Sequence, residues 1–158
     1  MLNRAILDPE VSRFIKQHKN NDLPSLILKG SPFEDVSIQE LAMQIKGLKV
    51  AEKKFPEFFN TPGIIYPPKL NLEQTSSEIT AKYKASLVKG KNGIDLTGGF
   101  GIDTYYLSKN FESFTYCELN AELAEIASHN FEILESDSIN VKQGDGLSIL
   151  KNSEAPYD

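Results

Sequence analysis

The chain has 158 residues, of which 40% are hydrophobic and 25% are charged, and these are the proportions of a soluble globular protein. No apolar run approaches the ~20 residues that cross a bilayer, and the start of the chain lacks the apolar segment of a secretory signal. We therefore expect a cytoplasmic protein with no membrane partner. The single cysteine, Cys117, excludes an intrachain disulfide and a cysteine metal cluster, and we expect no metal site.

The charge is divided unevenly along the chain. Residues 1–90 carry 13 Lys and Arg against 10 Asp and Glu, a net +3, whereas residues 91–158 carry 4 against 12, a net −8. The acidic second half is a poor surface for nucleic acid. If the protein binds RNA, we expect the N-terminal half to bind it. A net +3 over 90 residues is small, however, and is more typical of an ordinary solvated surface.

Helical signals dominate the first 60 residues. Asp8 precedes a proline as an N-cap and predicts a first helix, and a short apolar helix is predicted over Leu23–Lys29 with Gly30 at its end. A capping box over 37–40 precedes a hydrophobic stripe and predicts a third helix. The aromatic segment 55–59, broken by a proline, is interpreted as a hydrophobic plug between helices rather than as an exposed base-stacking platform.

Residues 60–70 are predicted to be a linker, because a turn signal over 61–63 is followed by two consecutive prolines that force an extended backbone. Another helix is predicted over 76–88. We therefore divide the chain into a helical N-terminal domain with its linker, residues 1–70, and a second domain, residues 71–158.

From residue 91 onward, short strands alternate with helices. Strands are predicted over 91–96, 114–118 and 139–143, and helices over 102–110, 121–134 and 147–151. Tyr157 and Asp158 have the pattern that opens a further strand. Such alternation favours an α/β fold with a parallel sheet wound by right-handed crossovers.

A glycine-rich segment joins the first strand to the helix after it. Residues 95–103 read Asp-Leu-Thr-Gly-Gly-Phe-Gly-Ile-Asp. Gly98, Gly99 and Gly101 let the backbone turn tightly and approach a ligand closely, and the helix after them offers free N–H groups at its start. We therefore interpret the segment as a ligand-binding loop rather than as an ordinary turn.

Acidic residues end the next two strands. Glu118 ends the second strand, 23 residues after Asp95, where a carboxylate can accept both hydroxyl protons of a ribose. Asp145, between two glycines, ends the third strand, where a carboxylate can accept a proton from the exocyclic amine of an adenine. Together with the loop, these two signals favour a ligand site over unrelated turns.

The order of these signals resembles motifs I, II and III of class I S-adenosylmethionine-dependent methyltransferases, and the helix that bears Asn130 fits the same order. The resemblance covers residues 72–158 and is closest to RNA-modifying members. Residues 73–85 are also similar to bacterial methyltransferases, common in Bacteroidetes, that carry a C-terminal THUMP-like domain. The resemblance implies S-adenosylmethionine as the cofactor and a truncated Rossmann-like sheet, with strands in the order 3-2-1, preceded by an α-helical N-terminal domain.

The resemblance also implies roles for individual residues. Asp95 and the glycine loop hold the methionine portion of the cofactor, and Glu118 binds its ribose. Asp145 binds the adenine, and Leu119 packs against that base. Asp103 orients a water or the cofactor ammonium.

Residues 74–77 are expected to close over the methionine end of the cofactor. The complete set of cofactor-binding residues that the resemblance implies is Asp95, Thr97, Gly98, Gly99, Gly101, Asp103, Glu118, Leu119, Asp145, Gly146, Gln74 and Ser76.

The fourth motif of the family, which follows the fourth strand and positions the methyl acceptor, has no counterpart before Asp158. We therefore expect an N-terminal fragment that holds most of a cofactor site and is itself inactive, and we assign no catalytic residue. Without a fourth strand, the strand at 91–96 becomes a sheet edge. We expect self-association along that edge unless the N-terminal helices or the 60–70 linker cover it.

Two alternative functions are weighed against a methyltransferase. A nicotinamide dehydrogenase also uses a glycine loop and a downstream acidic residue, but its third glycine is expected where this chain has Thr104. The other alternative is a non-catalytic module that binds RNA or a partner and retains a vestigial nucleotide-binding fold.

Overall fold

A parallel three-stranded sheet and the helices around it make up the structure, a computed structural model that describes residues 2–154 and 156–158. The first half consists of a 3₁₀ turn at Arg4–Leu7 followed by α1 (Pro9–Gln17), α2 (Leu23–Lys29), α3 (Ile38–Lys54), α4 (Pro56–Asn60), α5 (Lys69–Gln74) and α6 (Glu78–Ser86). The second half consists of β1 (Gly90–Asp95), α7 (Ile102–Ser108), β2 (Phe111–Glu118), α8 (Ala121–Ile133), β3 (Ile139–Gln143) and α9 (Gly146–Lys151).

Side-chain caps fix the starts of the N-terminal helices. The carboxylate of Asp8 accepts a hydrogen bond from the N–H of Glu10, which confirms the predicted start of α1. At α3, Ser37 and Glu40 form both hydrogen bonds of a capping box. Such caps satisfy N–H groups that have no partner within the helix.

The strands pair in the order β1-β2-β3, all parallel, as the resemblance implied. In the register of the sheet, Asp95 lies opposite Tyr116, and Glu118 lies opposite Gln143. The carboxyl ends of the strands therefore meet at one edge, which is where parallel sheets bind ligands. β2 begins at Phe111 rather than at the predicted residue 114, because its pairing with β1 extends back to Gly90.

The middle of the predicted linker is buried. Ile65 is 1% exposed and Tyr66 is 4% exposed. The N–H and C=O of Ile65 are bound by the side chain of Asn130, both at 2.9 Å, and those of Tyr66 by the side chain of Gln44, at 2.9 and 2.8 Å. This stretch differs from a simple linker, because two buried amides supply the main-chain partners that a neighbouring strand otherwise gives.

The aromatic segment of α4 packs against the glycine-rich loop. Phe55 and Phe58 are fully buried, and their rings lie 5.6 and 5.5 Å from that of Phe100 in edge contacts. The interpretation as a hydrophobic plug is confirmed. One hydrophobic cluster includes residues from both sides of residue 70, while the division of the chain into two domains stays a prediction.

A polar cluster also joins α4 to α7. The carboxylate of Glu57 accepts hydrogen bonds from the hydroxyls of Tyr105, at 2.5 Å, and Tyr106, at 2.6 Å. Both tyrosines lie on α7, which begins directly after the glycine loop. The N-terminal helices are therefore tied to the loop by apolar and by hydrogen-bonded contacts.

The last described residues lie along the outer edge of β1. The N–H of Asp158 donates to the carbonyl of Asn92 at 2.9 Å, and the Asp158 carboxylate accepts from the N–H groups of Lys91 and Asn92 at 2.6 and 3.0 Å. The start of this edge is thus paired by residues 156–158 and not by the N-terminal helices or the 60–70 segment. Self-association along the remainder of β1 stays a prediction.

Candidate cofactor site

A pocket of about 410 Å³ lies at the carboxyl ends of β1 and β2. Its walls are formed by Asn71 and residues 74–76, by the glycine-rich loop with the start of α7, and by the end of β2 with the residues that follow it. Of the predicted cofactor-binding residues, eight line it: Gln74, Ser76, Asp95, Thr97, Gly98, Gly99, Asp103 and Glu118.

The three loop glycines have different tasks. A side chain at Gly98 would place its Cβ 2.1 Å from the ring of Tyr116, and one at Gly101, where φ is +89°, would lie 2.6 Å from the ring of Phe131. These two glycines are therefore required for packing. Gly99 has a φ of +57°, and a Cβ there would meet only a backbone oxygen at 3.8 Å. Gly99 thus gives the loop a left-handed turn on its open side.

Asp95 holds the loop in shape. Its Oδ1 accepts from the N–H of Thr97 at 3.1 Å, and its Oδ2 accepts from the hydroxyl of Thr104 at 2.7 Å. The carboxylate at the end of β1 is thereby fixed to both the loop and α7. Thr104, which occupies the place of the third dehydrogenase glycine, is a structural partner of this carboxylate.

Glu118 joins the ends of β1 and β2. Its Oε2 accepts from the N–H of Gly99 at 3.0 Å, and its Oε1 accepts from the N–H of Asn120 at 2.8 Å. An ionised carboxylate has about four lone-pair sites, so each oxygen retains one for a further donor. The geometry therefore permits two additional hydroxyl groups to bind this carboxylate.

Asp103 lies in the first turn of α7, and its side chain contacts α6 and the residue Ser76 before it. Its Oδ2 accepts from the hydroxyl of Ser76 at 2.8 Å and from the ammonium of Lys84 at 2.9 Å. Its Oδ1 is buried and has no hydrogen-bond partner within residues 2–154 and 156–158. A buried carboxylate oxygen without a donor is costly, and it marks a place where a ligand or a solvent donor fits.

Four predicted residues do not line the pocket: Gly101, Leu119, Asp145 and Gly146. Asp145 is the N-cap of α9, where its Oδ2 accepts from the N–H and hydroxyl of Ser148 at 2.9 and 2.6 Å, and these bonds lower the pKa of its carboxyl. Gly146 allows α9 to approach the end of β1, since a Cβ there would lie 2.2 Å from the carbonyl oxygen of Leu96. Leu119 is 71% exposed beyond the end of β2.

Sequence reasoning missed other residues at the site. The pocket is also lined by Asn71, Ile102, Asn120 and Leu123, which were not predicted, and by Thr75 and Phe100, which lie within the predicted segments 74–77 and 98–101. Lys84 was missed as well, because nothing in the sequence separates it from the neighbouring surface lysines. The helix that bears Asn130 fitted the order of the family's motifs. The side chain of Asn130 is fully buried, where it binds the backbone of Ile65, and it does not line the pocket.

The charge of the pocket favours a cationic ligand over a phosphate. The described residues that line it include three carboxylates, those of Asp95, Asp103 and Glu118, and no lysine or arginine. Like charges repel strongly where solvent is partly excluded, so a diphosphate is disfavoured. Within the described part of the chain, no cluster of three or more His, Cys, Asp or Glu side chains could hold a metal ion. None of the described helices combines the length and the apolar character that a membrane span requires.

No protein-family model matches the sequence, and no curated protein matches it. Among solved structures, a putative methyltransferase from Porphyromonas gingivalis W83 is similar over 96% of this chain, at 27% identity and a TM-score of 0.76. This chain spans 38% of the length of that protein. It therefore has the Rossmann-like fold of a methyltransferase over the matched region, a parallel sheet with helices packed on it.

Two further structures match more loosely. An rRNA methylase from Streptococcus thermophilus has 14% identity and a TM-score of 0.44, over 50% of this chain and 48% of its own. An O-methyltransferase from Bacillus cereus in complex with SAH has 19% identity and a TM-score of 0.38, over 72% of this chain and 51% of its own. At these TM-scores, neither match supports a conclusion about this chain.

Proposed function

We propose that the pocket binds S-adenosylmethionine and that the chain supplies the cofactor-binding half of a methyltransferase. The observation that carries this proposal is the set of three carboxylates around the glycine loop: Asp95 and Glu118 at strand ends, and Asp103 in the first turn of α7. Glu118 retains acceptor sites for two hydroxyls, as a ribose requires, and Asp103 presents a buried oxygen to a donor. A sulfonium and an ammonium are both cations that suit this acidic site.

When bound, S-adenosylmethionine supplies a methyl group that is activated by its sulfonium sulfur. The residues of this chain bind and orient it, and positioning of this kind is a major source of rate enhancement in group transfer. Glu118 binds the ribose, while Asp95 keeps the loop in the conformation that brings the Gly99 amide to Glu118. Asp145 and Leu119 lie at the neighbouring strand ends, and their contacts with the adenine stay part of the proposal.

No residue of the pocket is assigned to the methyl acceptor. The match to a methyltransferase of which this chain spans 38% supports the view that acceptor binding requires a longer protein. We therefore expect the 158-residue chain alone to bind cofactor without transferring a methyl group. The narrower resemblance to methyltransferases with a THUMP-like domain belongs to the same proposal.

RNA is the acceptor class that the surface charges favour. Lys46, Lys49 and Lys53 are exposed at helical spacing on α3, and they line a groove of about 750 Å³ that also includes Lys54 and Lys69. We call these five residues the lysine face. Lysines on one helix face bind successive phosphates of a nucleic acid.

The lysine face adjoins the pocket. The ammonium of Lys54 donates to the carbonyls of Leu72 and Glu73, at 2.7 and 3.1 Å, in α5. α5 leads directly into residues 74–76, which line the pocket. The lysine face is thereby joined through α5 to the segment that lines the pocket.

The cofactor proposal is tested by thermal unfolding of the chain with S-adenosylhomocysteine, NAD or buffer alone. We expect S-adenosylhomocysteine to raise the unfolding midpoint and NAD to leave it unchanged, because only a ligand that binds the native state stabilises it. A rise with NAD alone would favour the dehydrogenase alternative. No rise with either ligand at millimolar concentration would contradict cofactor binding.

The RNA proposal is tested by binding of a fluorescent single-stranded RNA at two or more salt concentrations. Replacing Lys46, Lys49 and Lys53 by Glu is expected to abolish binding, and the affinity of the unchanged chain should fall with salt with a slope of about −0.7 per phosphate contact. A matched control replaces the exposed Lys142 and Lys151 together with Lys89, which changes the net charge equally. Equal losses in both triple variants would mean that net charge, not the lysine face, drives the binding.

A further inference from the structure

Gly99 lies in the glycine-rich loop at a point where packing does not hold it. A Cβ there would meet only the carbonyl oxygen of Thr97, at 3.8 Å, whereas the neighbouring loop glycines are fixed. The N–H of Gly98 donates to the carbonyl of Cys117 at 2.8 Å, and the N–H of Gly101 donates to the carbonyl of Gly98 at 2.9 Å. Glycine has the widest backbone freedom of any residue, so the conformation of Gly99 depends on the hydrogen bonds of its own N–H and C=O groups.

Two side chains of β2 bind these two groups. The hydroxyl of Tyr116 donates to the carbonyl of Gly99 at 2.6 Å, and the carboxylate of Glu118 accepts from the N–H of Gly99 at 3.0 Å. Successive side chains of a strand point to opposite faces of the sheet, so residues 116 and 118 project from the same face. One strand therefore holds Gly99 at both of its main-chain groups.

The Tyr116 side chain is itself fixed and protonated. It is fully buried, and its ring packs so closely against Gly98 that a Cβ there would lie 2.1 Å from it. Burial raises the pKa of the Tyr116 hydroxyl, and the negative charges of Glu118 and Asp95 raise that pKa further. The hydroxyl therefore keeps the proton that it donates to Gly99.

The other buried tyrosines hold a different part of the molecule. Their hydroxyls all bind groups on α4, and these residues are Tyr66, Tyr105 and Tyr106. The hydroxyl of Tyr106, for example, donates to Glu57 at 2.6 Å, the same length as the Tyr116 bond. Tyr116 differs because its partner is a backbone group of the loop that lines the pocket.

Resting on the proposed cofactor, we propose that Tyr116 is a positioning residue of the site, which acts on Glu118 through Gly99. Tyr116 does not line the pocket and acts from outside it. By holding the Gly99 carbonyl, its hydroxyl keeps the Gly99 N–H on Glu118 and leaves the other lone pairs of that carboxylate open to the hydroxyls of the ligand.

Loss of the Tyr116 hydroxyl has a defined consequence for the site. The Gly99 carbonyl loses its donor, and an unpaired carbonyl is driven to turn towards another one. Gly99 is then free to adopt other conformations in which its N–H no longer meets Glu118. The fraction of molecules with a correctly placed carboxylate falls, and the apparent affinity for the ligand falls by the same factor.

The experiment removes the hydroxyl and keeps the ring. Dissociation constants for S-adenosylhomocysteine are measured by calorimetry with the 158-residue chain, with Tyr116→Phe, with Glu118→Ala and with both changes together. Tyr106→Phe is the matched control, because it removes the hydroxyl of another buried tyrosine whose bond goes to Glu57. Tyr116→Phe retains the packed ring and is therefore expected to fold, which urea denaturation of each variant checks.

We expect Tyr116→Phe to weaken binding by about 3- to 10-fold and Tyr106→Phe to weaken it by less than about 2-fold. When Glu118 is already alanine, Tyr116→Phe should change the affinity by less than about 2-fold, because no carboxylate remains to be positioned. A purely structural role of Tyr116 would give the same factor with Glu118 present or absent. That result, or equal losses in the two tyrosine variants, would overturn the inference.

The chain without ligand gives a second readout. The NMR signal of the Gly99 amide proton should move in Tyr116→Phe towards its position in Glu118→Ala, where the bond to the carboxylate is absent, and it should stay in place in Tyr106→Phe. A Gly99 signal that does not move in Tyr116→Phe would overturn the positioning role. If the unchanged chain does not bind S-adenosylhomocysteine, the proposed function fails, and this signal still decides whether Tyr116 sets the bond between Gly99 and Glu118.

Discussion

The side chain of Asn130 holds the segment that passes between the two halves of the chain. It is fully buried on α8, and its amide accepts from the N–H and donates to the C=O of Ile65, both at 2.9 Å. Asn130→Ala removes both partners and leaves two buried main-chain groups unpaired. Each unpaired group costs about 1–3 kcal/mol, so the expected loss for the two groups is about 2–6 kcal/mol of a total stability on the order of 5–15 kcal/mol.

Urea denaturation measures this loss as a lower transition midpoint at an unchanged slope. The matched control is Asn140→Ala, because the amide of Asn140 donates to the hydroxyl of Ser113 at 3.0 Å in an exposed position. We expect that control to stay within about 0.5 kcal/mol of the unchanged chain. Equal midpoints for the two variants would refute the assignment of Asn130 as the partner of a buried backbone.

Two further changes test the packing around the loop. Gly101→Ala is expected to destabilise the chain by about 2–4 kcal/mol in urea, since it adds left-handed strain to a clash with Phe131; a loss no larger than that of Gly99→Ala would contradict this. Burial acts to raise the pKa of the Glu57 carboxyl, but the hydroxyls of the two α7 tyrosines and the ammonium of Lys109 together outweigh burial and lower that pKa from its ordinary value. The ionised form is therefore the stabilising one, and Glu57→Gln should cost about 1–2 kcal/mol at pH 7, after allowance for its exposure. That difference should shrink as the pH falls through and below 4.5, and a difference that grows on acidification would show the opposite sign.

The parts of the structure that depend on short stretches of sequence could be predicted. The caps of α1 and α3 lie within four residues of the groups they bind, and the alternation after residue 90 was sufficient for a parallel sheet. The sheet then brings Asp95 and Glu118 together, because the carboxyl ends of parallel strands meet at one edge. The glycine loop could also be predicted from the sequence, because its conformation depends on residues that are close together along the chain.

Contacts between distant segments could not be predicted. Ile65 and Asn130 are 65 residues apart, and nothing near either one indicates the other. On α6, the apolar Ile79 and Tyr83 are 82% and 66% exposed, whereas Glu78 is buried at 8% because it binds the backbone of α4 and Lys82. The hydrophobic pattern alone would predict that the face with Ile79 and Tyr83 is buried. The opposite is observed, because hydrogen bonds to other elements decide which side of this helix faces the protein interior.

The ion pair between Asp103 and Lys84 shows the same limit beside the site. Asp103 was recognised from its place after the glycine loop, but its partner Lys84 lies on a helix that only the packing of α6 against α7 brings near. The sequence separation of 19 residues carries no periodic signal. Spacing identifies residues on one loop or strand end, and only the fold shows which side chains from other elements meet them.

The central claim is that the pocket at the strand ends binds an adenosine cofactor through Glu118. Calorimetric titration of the 158-residue chain with S-adenosylhomocysteine tests it most directly, with Glu118→Ala as the variant and the exposed Glu122→Ala as the control. We expect saturable binding that Glu118→Ala weakens by ~1.5–3 kcal/mol, about 10- to 150-fold, and that Glu122→Ala leaves unchanged. No heat of binding from the folded chain, or an equal effect of both substitutions, would contradict the account.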